Sequence, residues 1–287
     1  MWDLYRQSKM LALPGGAVCC VRLGRGPAVT LLHGIPLSLA TWRHNLASLA
    51  NDATVIAFDL RGFGRSDKPK GDYSPQAHAR VLEQVLDALG LRTTSLVGSS
   101  YGCAPALEFA LARPDRVERL VLINSVGYPA SQHSMERLLR IGLIAALMRP
   151  VLRYAPLGRW LFASRLQQCY ADPELLEPEV ARGYYDLLRR DYGEQSFLAT
   201  LRQFHEAELA RRLSDVVQET LIVWGARDRI LPPQVARRFH AAFRNAELNI
   251  LPDCGHLPHE EAPDRVNALI REFLSRDQVQ QRRAARG

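Results

Sequence analysis

The sequence predicts an α/β protein: a mostly parallel, doubly wound sheet flanked by helices, with right-handed crossovers. Two observations predict it. Seven short runs rich in Val, Ile and Leu recur along the chain, and several are nearly continuous in apolar residues. That pattern suits strands buried on both faces of a sheet. Helical patterns fill most of the intervals between the runs. A third observation, a break in this rhythm between about 128 and 212, adds an insertion without a convincing strand.

The strand runs are VCCVRL (18–23), AVTLLH (28–33), TVIAFD (54–59), TSLVGS (94–99), RLVLIN (119–124), TLIVWG (220–225) and AELNIL (246–251). Helices are expected near 41–50, 75–90, 101–113, 233–243 and 264–275. Pro114 and Asp115 end the third, and Pro232 and Pro263 sit at the starts of the last two. Residues 128–212 read as several helices punctuated by Pro129, Pro150, Pro156, Pro173 and Pro178. The domain expectation is therefore a core of 1–127 and 213–275 with a helical cap, or lid, at 128–212. The basic stretch at 276–287 has little apolar content to bury and is expected to be disordered.

Composition bounds the function. The 287 residues are 47% hydrophobic and 23% charged, an ordinary globular balance. The net charge is +7 and the sequence pI about 9.4. The basic residues are scattered outside the tail, with no zinc-finger or aromatic–basic RNA signature, so nucleic acid is not an expected partner. MWDLYRQSKM at the start has no signal-peptide pattern. LIAALM at 143–148 is closed by Arg149 and Pro150, and is too short to span a bilayer. A cytoplasmic location follows as an expectation. Cys19, Cys20, Cys103, Cys169 and Cys254 form no C-x-x-C pair and are odd in number. Reduced thiols are expected rather than a disulfide framework or zinc site.

The chemistry is concentrated in SLVGSSYGCA (95–104). Gly98 and Gly102 flank Ser100 as G-x-S-x-G, after a strand and at the opening of a helix. Such a turn strains the serine backbone and crowds the residues two positions away on either side, where a missing Cβ relieves the crowding. Ser100 is the candidate nucleophile and Ser99 a filler. A serine hydroxyl needs a base, and the base an orienting acid. Among eight histidines, His256 in LPDCGHLPHEEAP lies after the last strand and is the candidate base. His259 sits further into that loop, and His33 reads as a prop for its own loop. His44, His78, His133, His205 and His240 fall in helical patterns. Asp228, in the loop after 220–225, is the candidate acid; Asp215 lies at the wrong strand end, and Asn124 is not an acid. HGIP (33–36) follows another strand. The backbone N–H groups of Ile35 and Tyr101 are the expected oxyanion donors.

These motifs resemble the α/β-hydrolase superfamily. HGIP, FDLRGFGRSDKP (58–69), GSSYG, WGARDRILP and GHLPHEEAP stand in that family's order, and the resemblance covers about residues 15–275. It implies the α/β-hydrolase fold with a helical cap, and the branch of esterases, lactonases, C–C bond hydrolases, epoxide hydrolases and haloalkane dehalogenases. The last two place aspartate at the elbow, where this chain has Ser100. Meta-cleavage-product hydrolases usually have asparagine before the nucleophile and glycine pairs after it, where this chain has Ser99, Tyr101 and Cys103. FDLRGFGRSD lacks the third glycine of a dinucleotide motif; Asp59 and Arg61 read as supports beneath the site. Cys254, two residues before His256, reads as inert, though a bulky thiol adduct there would block the site.

The expected function is cofactor-free, metal-free serine hydrolysis of a carboxylic ester or lactone. The expected partner is a small molecule with an apolar acyl or aromatic part; no membrane partner is expected, and a homodimer is left open. Apolar stretches at 138–162 and Tyr154, Tyr170, Tyr184, Tyr185 and Tyr192 are candidates to meet that substrate. Packing of the apolar stretches onto the main domain and an interfacial helix fringed by Arg137, Arg140, Arg149 and Arg153 are alternatives. Two alternative functions stay open: C–C hydrolysis or thioester hydrolysis with the same three residues, and ligand binding without catalysis on the same fold.

Overall fold

The apolar runs become strands: β1 (Lys9–Leu11), β2 (Val18–Leu23), β3 (Ala28–Leu32), β4 (Thr54–Phe58), β5 (Thr94–Ser99), β6 (Val117–Ile123), β7 (Glu219–Gly225) and β8 (Ala246–Leu251). The computed structural model describes residues 2–128 and 149–284. One eight-stranded sheet has the order β1-β2-β4-β3-β5-β6-β7-β8. β1, β2 and β4 pair antiparallel, and every pairing from β4 onward through β3 to β8 is parallel. This is the α/β-hydrolase architecture that the motifs led us to expect. β1 and the helix Trp2–Gln7 are additions that the sequence patterns did not announce.

Near-continuous apolar strands follow from the two covered faces. Ile56 and Phe58 of β4 and Ile222 and Trp224 of β7 enter one core, shared with the helices Pro75–Ala88, Cys103–Ala112 and Pro233–Ala241. Val55, Ala57, Leu221 and Val223 enter the opposite core with Leu46, Leu49, Val266 and Ile270. The period-two pleat divides each strand between the two cores. Pro75–Ala88 starts where the Ser74 hydroxyl accepts from Ala77 N–H, with Pro75 in the first turn. It buries Val81, Leu82, Val85 and Leu86, each worth roughly 1.5–3 kcal/mol of transfer free energy.

Between β6 and β7 the described chain is helical: Ala155–Gln167, Pro178–Arg189, Gly193–Gln203 and Glu206–Ala210, with short 3-10 turns. Phe162, Leu166, Tyr170, Val180, Tyr184 and Tyr185 share the second core with Leu39, Trp42 and Leu257 of the main domain. Leu157 and Trp160 stay exposed. The apolar run 143–148, Arg137 and Arg140 lie outside the described residues. Among the described residues no helix is long and apolar enough to cross a membrane. The last helix runs Pro263–Ala284 and so extends into the basic stretch. Gln and Arg dominate that stretch and are good helix formers, a backbone preference that does not require an apolar face.

Strand order is what positions the site. β3 lies between β4 and β5, so the chain leaves β3 in one direction for β4 and returns on the other side for β5. Loops at such a reversal part and leave a crevice at the carboxyl ends of the strands. The loops after β3, β5, β6, β7 and β8 all end at that edge.

Candidate active site

Ser100 begins the tight turn between β5 and the helix Cys103–Ala112, at φ +51°. A non-glycine residue there is strained, and the surrounding packing holds it. The flanking glycines are explained by close approach. A Cβ on Gly98 would lie 2.8 Å from Cys103 N, and one on Gly102 would lie 2.2 Å from the Leu32 carbonyl. Ser100 is half-buried, whereas Ser99 is fully buried, with a hydroxyl that has no hydrogen-bond partner among the described residues.

The structure brings Ser100, His256 and Asp228 together from three strand ends 156 and 28 residues apart. His256 Nε2 is 2.9 Å from Ser100 Oγ, and His256 Nδ1 is 2.8 Å from Asp228 Oδ2. An ionised carboxylate only accepts, so Nδ1 carries the proton and Nε2 presents a lone pair to the serine hydroxyl. Both His256 and Asp228 are buried. Asp228 Oδ1 accepts from the N–H groups of Ile230 (2.7 Å) and Leu231 (2.9 Å). Four donors thus hold the carboxylate in one rotamer, the fourth from a residue that sequence reasoning set aside. Asn124 Nδ2 donates to Asp228 Oδ2 at 2.5 Å and to the Gly255 carbonyl at 3.2 Å, while its Oδ1 accepts from Gly225 N–H. Asn124 adopts φ +43° at the end of β6, between the serine and aspartate strands. It was dismissed as a non-acid; its strand-end position was the available signal.

The HGIP loop lies against the serine. A Cβ on Gly34 would sit 3.0 Å from Ser100 Cβ. Among the described residues neither Ile35 N–H nor Tyr101 N–H has a hydrogen-bond acceptor. His33 is fully buried, with Nδ1 on the Gly34 carbonyl at 2.8 Å and Nε2 accepting from Leu60 N–H at 2.9 Å. Burial pushes its pKa down to about 4, against the Gly34 bond, so it is neutral and holds the loop. Asp59 accepts from the N–H groups of Leu39 and Arg65 and from the Tyr5 hydroxyl. Burial pushes its pKa up to about 6 despite those donors. Arg61 reaches the carbonyls of Pro14 and Gly16.

His259 lies away from the serine. Its Nε2 is 2.8 Å from Thr41 Oγ1, its ring packs at a tilt against Trp42 with centroids 4.5 Å apart, and burial pushes its pKa down to about 4. Beside it, the buried Glu260 carboxylate takes bonds from Arg43 (2.5 Å), Thr41 (2.5 Å), Tyr170 (2.7 Å) and Tyr184 (3.1 Å). Burial alone would raise the Glu260 pKa; Arg43, His259 and the Thr41 hydrogen bond outweigh it and hold it below the usual range. Two tyrosines read as substrate contacts are therefore committed to tying the insertion to the short helix Pro258–Glu261 after the His256 loop. Tyr185 donates to the Leu152 carbonyl, and Tyr154 and Tyr192 are exposed. Cys254 is buried, and burial pushes its thiol up to about 11, which leaves it protonated and shielded from reagents in the folded protein. Among the described residues no His, Cys, Asp and Glu side chains group as a metal-ligand set.

This geometry can activate a hydroxyl. A lone pair of an oriented imidazole faces Ser100, and the HGIP loop packs against the same serine. Residues 31–269 match the alpha/beta hydrolase family. The 2-hydroxy-6-oxononadienedioate/2-hydroxy-6-oxononatrienedioate hydrolase of Burkholderia vietnamiensis is 34% identical over 259 residues, covering 87% of each chain. Haloalkane dehalogenase 2 of Mycobacterium tuberculosis is 30% identical over 269 residues, 89% of this chain and 90% of that protein. The solved structure of a thermophilic esterase from Thermogutta terrifontis superposes with TM-score 0.79 at 26% identity, covering 94% of this chain and 98% of the esterase. With the sheet order, the elbow and a match running through most of its length, the chain belongs to the alpha/beta hydrolase family.

Proposed function

We propose that the protein is a serine hydrolase that cleaves a carboxylic ester or lactone with an apolar acyl or aromatic part. The observation that carries this reading is the unbroken line from Ser100 Oγ through His256 to Asp228. His256 Nε2 takes the hydroxyl proton as Ser100 Oγ bonds to the substrate carbonyl carbon. The oxyanion so formed is stabilised by Ile35 N–H and Tyr101 N–H. Collapse breaks the bond to the alkoxy oxygen, which leaves as an alcohol with the proton from His256. A water then gives its proton to His256 and its oxygen to the acyl carbon, releasing the acid and restoring Ser100. Asp228 keeps the imidazole in the required tautomer and stabilises its charged form. The helices between β6 and β7 serve as the cap over this crevice, and the reaction needs no cofactor.

Aspartate does not stand at the elbow, which separates this chain from the dehalogenase chemistry that its mycobacterial relative's name describes. A second reading is C–C bond hydrolysis, favoured by the Burkholderia relative. The test is a fluorophosphonate probe on the wild type and on Ser100→Ala, followed by esters, lactones and a vinylogous 1,5-diketone. Labelling at Ser100 that the variant loses, with ester or lactone turnover, supports the proposal. Turnover of the diketone alone transfers it to the second reading. An unlabelled wild type that also leaves p-nitrophenyl acetate intact refutes both and moves ligand binding ahead.

A further inference from the structure

The loop carrying His256 is joined to the inserted helices by backbone, not by side-chain packing alone. His256 N–H donates to the Cys169 carbonyl at 2.6 Å. A Cβ on Gly255 would lie 2.6 Å from both Ala171 N and the Cys169 carbonyl, so the two backbones touch and glycine is required there. Across this contact stands Glu261. One carboxylate oxygen accepts from Gly255 N–H at 2.8 Å and the other from Ala171 N–H at 2.7 Å. The side chain is half-buried, and among the described residues no cation pairs with it. Its two oxygens are thus spent on one peptide N–H beside the imidazole and one in the insertion.

We propose that Glu261 is a positioning residue that locks the His256 loop to the inserted helices, so that the insertion's seating and the alignment of the imidazole move as one. The proposal rests on the reading of His256 as base. Neither bond touches substrate, and Glu261 reaches Ser100 only through His256. Its adjacency to Glu260 gives the segment two anchors with different targets. Glu260 takes side-chain donors from the turn after β3 and from the insertion, whereas Glu261 takes backbone donors from the histidine loop and the insertion. An ionised carboxylate accepts at both oxygens, and an amide at only one. Glu261→Gln therefore keeps size and one bond but turns an NH2 group against the other N–H.

The test uses Glu261→Gln beside the wild type. Amide hydrogen exchange is read at Ala171 and at Gly255–His256, with kcat and KM for an ester that the wild type turns over. Exchange should quicken at both segments together, and kcat should fall about tenfold or more, as expected for a shift of the base by a fraction of an ångström. KM should change much less. Glu261→Asp, too short to span both N–H groups, should behave in the same way. Quickened exchange at one segment only, or a kcat unchanged while both segments loosen, overturns the proposal. A parallel fluorophosphonate reaction separates the two layers of inference. An unlabelled wild type removes the triad and with it the positioning role, while the exchange data alone still decide whether Glu261 couples the two backbones.

Discussion

His78 gives the sharpest test of the physical account, because it stands in the wrong environment for its chemistry. It lies on the helix Pro75–Ala88, 1% exposed, among the rings of Phe63, Tyr73 and Tyr101 at 5.8–6.2 Å. Among the described residues neither ring nitrogen has a hydrogen-bond partner. Burial first, then His33 and Arg61, push its pKa from 6.5 down to about 3. The perturbation is His78→Phe, which keeps an aromatic ring and removes both unsatisfied atoms. At pH 7.5 the imidazole is neutral in both folded and unfolded chains, and the gain is the unpaid desolvation, about 1–3 kcal/mol, less about 1 kcal/mol for the larger ring. Below pH 6.5 the unfolded chain binds a proton that the folded chain refuses down to about pH 3. Wild-type stability is therefore lost as pH falls through that window, and the variant escapes this loss. At pH 5 the extra advantage is about 1.4 kcal/mol for each of roughly 1.5 pH units, or about 2 kcal/mol. Urea unfolding of both proteins at pH 7.5 and pH 5.0 reads the difference. The variant should be at least as stable at pH 7.5 and clearly more stable at pH 5.0. A difference that stays constant or shrinks on acidification would refute the reasoning.

The other expected outcomes concern polar groups near the site. Asn124→Gly removes a donor to the Asp228 carboxylate and should lower kcat by about tenfold or more, since bonds to charged groups are worth about 1.5–3 kcal/mol. Asn124→Ala should lose the same activity but unfold about 1 kcal/mol more easily than the glycine variant, because φ +43° suits glycine; equal stabilities would dismiss the strain. Arg43→Met leaves the fully buried Glu260 carboxylate without its cation. It should cost about 3–5 kcal/mol, a drop of about 6–10 °C in melting temperature, and adding Glu260→Leu should recover part of it. A melting point within 2 °C, roughly the effect of 1 kcal/mol or less, would contradict the burial argument.

What the sequence made legible divides by range of interaction. The seven longer strands, the elbow glycines and the loops bearing Asp228 and His256 are written in local patterns: apolar runs, a missing Cβ on either side of Ser100, and strand ends at the right intervals. β1 escaped notice because three half-exposed residues, Lys9 to Leu11, carry no periodicity. The reach of the terminal helix to Ala284 has no apolar signal, because apolar content measures burial, whereas Arg- and Gln-rich chain keeps its helix propensity without burial. Tyr170 and Tyr184 were assigned towards substrate because an aromatic in an insertion has no local mark of its partner. Theirs, Glu260, stands 90 and 76 residues away.

Asn124 shows why the remainder was hidden. Its role depends on β6 standing between β5 and β7, and that order belongs to the sheet rather than to any stretch of chain. Once the order is known, the residue after β6 must enter the space between the serine turn and the aspartate loop. It must also pair its polar atoms, since all of that space is buried. An amide meets both demands where an aliphatic residue fails: its NH2 serves the Asp228 carboxylate and the Gly255 carbonyl, and its oxygen serves Gly225 N–H. An acid at the same position would set a second negative charge 2.5 Å from Asp228 and leave the Gly255 carbonyl without its donor. The feature that excluded Asn124 as the triad acid is the one that lets it hold the acid in place.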